Sequence, residues 1–169
     1  MIETSIDEQI VKYIRGMLSE ALSSASDASL HEIPVIGADL GLAAKEMVQI
    51  VSSDNDGNND KQAISSDAAK RVEAMTILLD IYAVAHDSDP DAPLSDWDET
   101  DEIRNRLTAL TQLIEPLFTG DRDTCPIYDA FPNRVRTIDY VSAGHFLFSE
   151  GKTLAGMAQK RITITSSVN

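Results

Sequence analysis

The segment Ala68–His86 decides more about the fold than any other. Its odd positions Met75, Ile77, Leu79, Ile81 and Ala83 form an unbroken apolar row, the alternation of a half-buried strand. Its even positions mix Ala74, Thr76, Leu78, Asp80, Tyr82 and Val84. A helix also fits, with Glu73, Thr76, Asp80 and Asp87 on one polar stripe and Ser66 as a cap. Residues Asp67 to Arg71 favour helix by propensity, whereas Thr76 to Val84 favour strand. We read a strand, which puts a sheet at the centre of the molecule.

The flanking segments supply partners for that sheet. Ile6, Ile10, Val11, Tyr13, Ile14, Met17, Leu18 and Leu22 recur at steps of three and four, predicting an amphipathic helix over Ile6–Ala25. Thr4 or Ser5 can cap it, with Asp7 and Glu8 in the first turn. Ile33 to Gly37 reads as an edge strand, because Pro34 cannot donate a ladder bond. Glu46 to Ser52 reads as another strand, followed by a polar loop through Asp67. Asp87–Glu102 holds eight acids and no bases, with Pro90 and Pro93, and leads into a helix ending at Phe118. Its apolar face is Ile103, Leu107, Leu110, Leu113, Ile114 and Leu117. Arg134 to Phe148 alternates, and Arg161 to Thr165 does so strictly, so the two should pair as an antiparallel ribbon.

The expectation is one α+β domain spanning 1–169. It has an antiparallel sheet of about four to five strands with two helices packed on it, plus extended loops. Two loops, at about 52–67 and 87–100, and a C-terminal β-ribbon, at about 134–166, complete it.

Composition narrows function mainly by exclusion. The 169 residues include one cysteine, Cys125, so neither an intrachain disulfide nor a cysteine-based zinc site is expected. The beginning of the sequence is acidic and lacks an apolar secretory stretch, and no apolar run approaches the ~18 residues of a membrane span. A chain assembled in a cytosol, with no membrane partner, is expected. Acids number 28 against 14 bases, a net charge of −14. Residues 1–133 hold 26 acids and 9 bases, a balance of −17, and residues 134–169 hold 2 and 5, a balance of +3. An acidic body argues against wrapping nucleic acid, which needs a basic footprint.

Specific motifs fail one by one. Around Gly57 an EF-hand count puts Ala63 where a bidentate glutamate belongs, so residues Asp54 to Asp60 read as a solvated turn. Asp87, Asp89 and Asp91 alternate, but Pro90 and Pro93 stiffen them into a solvated loop. Asp80 sits among apolar neighbours and is the one candidate catalytic acid, although a solvent-facing place on the mixed face is expected. His31, His86 and His145 lack metal-ligand spacing. Cys125 reads as a structural thiol. Phosphate-loop and nucleophile-elbow patterns do not occur. No catalytic residue, cofactor site or metal site is assigned.

What remains is the basic C-terminal segment. Arg134 and Arg136 share strand parity, Lys152 lies in a turn, and adjacent Lys160 and Arg161 face opposite ways. They form either an ordinarily charged surface or an interface for an acidic neighbour. Asp54, Asp56 and Asp60 on the polar loop are further candidate contacts.

The order of these segments resembles the tail-terminator (tail-completion) proteins of long-tailed bacteriophages, including the lambda-like ones. The likeness lies in the helix Ile6–Ala25, the proline-started strand Glu32–Gly37 and the long strand Arg71–His86. It continues through the acidic loop into the helix Glu102–Phe118, and ends with a closing strand Leu154–Thr165. The tracts Ser52–Asp67 and Phe118–Asn133 are longer than a minimal member needs. The resemblance implies a non-enzymatic virion protein assembled in the host cytoplasm. Its partners would be further copies of itself in a homo-oligomeric ring, usually a hexamer, the tail tube protein and the head–tail connector. Double-stranded DNA would pass through the lumen only as non-specific cargo. A connector or stopper elsewhere in the neck is one alternative, and a small acidic binding or regulatory protein is another. An enzyme of unknown type would rest on Asp80 alone.

Overall fold

The computed structural model describes residues 5–37, 46–52, 72–84, 97–150 and 153–167. In chain order these form α1 (Ile6–Ser23), a 3-10 turn (Ala28–Leu30), β1 (Val35–Ile36), β2 (Met47–Ser52) and β3 (Val72–Val84). Then come α2 (Trp97–Ile114), a second 3-10 turn (Glu115–Leu117), α3 (Pro126–Ala130), β4 (Val135–Glu150) and β5 (Thr153–Ser167). The polar loop after Ser52 and the proline-bearing part of the acidic loop lie outside the described residues.

The strands make one sheet in the order β1-β2-β3-β5-β4. All neighbours are antiparallel except β1 and β2, which run parallel, so the sheet is mixed where an antiparallel one was expected. The parallel pair is minimal. Val48 N–H donates to the Pro34 carbonyl at 3.0 Å, and Pro34, which has no N–H, sits at the sheet margin where none is needed. The α+β architecture with two long helices is as anticipated.

Within the long segment Val72–Val84 is a strand, and 68–71 and 85–86 lie outside the described residues. Met75, Ile77, Leu79, Ile81 and Ala83 are all buried and face the helices. They share the core with Val48 and Ile50 of β2 and with Ala158, Ile162 and Ile164 of β5. From above, α1 contributes Ile10, Ile14, Leu18 and Leu22, and α2 contributes Ile103, Leu107, Leu110 and Ile114. Burial of each such side chain contributes roughly 1.5–3 kcal/mol, so the two helical stripes carry much of the docking energy. Ser5 caps α1, its hydroxyl accepting from Glu8 N–H at 3.2 Å.

Three smaller features fix the helices on the sheet. Gly156 of β5 lies directly under α2, where an added Cβ would stand 2.5 Å from Ile103 Cγ2. Arg106 of α2 grips Glu46 with both Nε (3.0 Å) and Nη2 (2.8 Å), joining the helix to the start of β2. The short helix α3, started by Pro126, ties to α1 through Tyr13, whose ring meets Phe131 edge-on at 5.6 Å.

Candidate interaction surface

The ribbon β4–β5 is long because both strands alternate over most of their length. β4 has 16 residues and β5 has 15. β5 is an inner strand, and β4 forms the outer margin of the sheet. Register shifts interrupt β4 between Val135 and Thr137 and between Ser142 and Gly144. Gly144 takes φ +154, and the Phe146 ring lies where a Cβ at Gly144 would be only 3.1 Å away.

The exposed large hydrophobics of the described residues all lie on β4: Val141 (41% exposed), Phe146 (50%) and Leu147 (50%). Val141 and Phe146 fall on the parity of Arg161 and Met157, away from the helices, while Leu147 falls opposite Gly156 on the helix side. The apolar surface therefore wraps the sheet margin from one face to the other. A long margin strand with apolar residues on both faces is a template for association unless something covers it.

On the helix side, β4, β5 and α2 enclose an open cleft of about 610 Å³. Leu107 and Leu147 supply apolar walls, and Arg104, His145 and Lys160 supply three basic groups. Lys160 is 6% exposed. It pairs with Leu79 and Ser142 on neighbouring strands and so sits in the row of Ala158, Ile162 and Ile164. Its Nζ donates to Ser142 Oγ at 3.4 Å, a long bond. On the opposite flank of α2, Asp27, Asp101 and Glu102 line a shallower acidic depression beside Arg106.

The described members of the basic set singled out in the sequence do not form one patch. Arg134 lies just before β4, and Arg136 sits in its first irregularity, so they do not share a regular strand parity. Arg136 Nε donates to Ser167 Oγ at 2.7 Å and holds the end of the sheet together. Arg161 is exposed on the face away from the helices, and Lys160 is buried on the other, so those two do face opposite ways. Lys152, Asp54, Asp56 and Asp60 lie outside the described residues. Arg104 and His145 were not expected to join Lys160. The parity of Lys160 with Ile162 and Ile164 was the one available signal.

Asp80 is not solvent-facing. It is 8% exposed and accepts a hydrogen bond from Gln159 Nε2 at 2.9 Å, beside the buried Gln49 on the face away from the helices. That face is closed over Met47, Gln49, Asp80 and Tyr82, and polar pairing accounts for the aspartate there. Cys125 is buried, its thiol donates to the Leu117 carbonyl at 3.2 Å, and burial pushes its pKa up, as befits a structural thiol. His31 donates to the Ala25 carbonyl at 2.6 Å. Among the described residues no group of three His, Cys, Asp or Glu side chains is placed to hold a metal ion, and no helix is long and apolar enough to cross a membrane. The sequence matches no family model and no curated protein.

Proposed function

We propose that this chain is a structural protein that closes into a homo-oligomeric ring on the end of a bacteriophage tail tube and presents a surface to the head–tail connector. The observation that carries this reading is the exposed apolar margin of β4, flanked by basic groups on an otherwise acidic molecule. A closed ring needs two different, complementary faces on each subunit. An apolar, locally basic margin and an acidic body meet that need. The order helix, short strand, strand, long strand, helix, ribbon is also the one on which the family resemblance rests. In such a ring the acidic body repels a polyanion, so DNA slides through the lumen instead of sticking to its wall.

Native mass spectrometry over a concentration and salt series tests the proposal. The expected outcome is a closed species near six subunits that dissociates as salt screens the contact. Addition of tail tubes should then give end-capped tubes by electron microscopy. A ring that binds portal-side protein but never a tube end would move the chain to the connector station. A monomer under every condition, with or without tubes, would reject the ring.

A further inference from the structure

Lys160 is an expensive residue in its position. A buried ammonium without a carboxylate partner costs stability, and a methionine of similar length would fill the same space without that cost. Its long Ser142 contact is neutral and weak. Arg104 and His145 point their charge capacity toward the same space. Among the described residues none of the three is paired with an acid. Three basic groups around an apolar floor form a receptor for a carboxylate that arrives from outside the subunit.

We propose that this cleft is a socket for the acidic flank of α2 on a second copy of the chain, centred on that copy's Asp101 and Asp27. The proposal rests on the ring reading and names its contact. Two observations select a second copy as the occupant. The first is charge complementarity within one helix: residues lining the socket and residues lining the acidic depression lie on opposite flanks of α2. Asp27 and Asp101 are exposed there, and hydrogen bonds from Ser29 hold the Asp27 carboxyl below its usual range, so it stays charged. A surface with its two complements on opposite sides joins head to tail and closes by rotation. The second is continuity: the half-exposed Phe146 and Leu147 of the β4 margin both line the socket, so a copy seated there covers part of that apolar margin.

The contact can be tested by charge reversal in the full-length protein, read by native mass spectrometry and sedimentation. Arg104→Glu alone and Asp101→Arg alone should each raise the concentration for half-assembly at least ten-fold. An equimolar mixture of the two variants should assemble again, because every junction then joins opposite charges in alternation. Lys160→Met should weaken assembly while melting no lower than the wild type, which a purely structural lysine would not do. Wild-type assembly left unchanged by all three variants would overturn the socket and leave the ring reading standing. Single variants that dissociate but are not rescued by mixing would overturn the head-to-tail pairing with Asp101. A wild type that never assembles would overturn both.

Discussion

Tyr140 concentrates the chemistry of the interior at one atom. Its ring stacks on Phe118 with centroids 5.7 Å apart, yet its buried hydroxyl finds no hydrogen-bond partner. Burial first, and the charge of Glu115 second, push its pKa from 10 to about 12. Above pH 10 the tyrosine ionises in the unfolded chain while the folded one keeps its proton. Its contribution is therefore complete below pH 10 and is lost as pH rises through about 12. Tyr140→Phe should flatten the alkaline limb of a stability–pH profile measured by urea denaturation. Near neutral pH it should leave stability equal or up to about 1 kcal/mol higher, since an unpaired buried hydroxyl is removed. Residue-level roles were the least legible part of the sequence. Alternation said that Lys160 and Arg161 part company, but not which of them the helices would cover. Asp80 is buried where the pattern predicts exposure, for the same reason: mixed polarity on the even positions of β3 gives no sign that this face, too, is closed.

At the scale of elements, the contacts that matter join helix to sheet. Gly156 lets α2 approach β5 so closely that a methyl group has nowhere to go. Gly156→Ala should cost about 1–3 kcal/mol by overpacking against Ile103 and Leu107, although alanine in place of glycine usually favours a strand. Chemical denaturation checks it, and Gly156→Ala should cost less in an Ile103→Ala background, which removes the Cγ2 that the added methyl would strike. Arg106 plays the polar counterpart. Its side chain and that of Glu46 are 15% and 9% exposed, so Arg106→Ala leaves a largely buried carboxylate short of donors. A loss of about 1–3 kcal/mol is expected, measurable as a lowered melting temperature. The long elements themselves were readable. A period-two row marks β3 and a three-and-four stripe marks each of α1 and α2, while Asp67 to Arg71, helical by propensity, lie outside the described residues. The short helix α3 was not, because five residues carry no period.

For the molecule as a whole, the sheet order places β5 between β3 and β4. Each of the 13 residues of β3 pairs with β5, from Val72 with Ser167 to Val84 with Ala155. Such pairing joins segments far apart in the chain, and contacts of that separation form late. The arrangement has a consequence for synthesis. Until the ribosome has released residues 153–167, β3 lacks one whole side of its ladder and β4 has nothing to lean on. Lys160, which lines the cleft, lies on β5 as well. A nascent or prematurely ended chain thus displays neither the apolar margin in register nor the basic socket. On the proposed ring reading, competence to join other copies would depend on β5, and a subunit lacking it would be screened out before it could enter a ring.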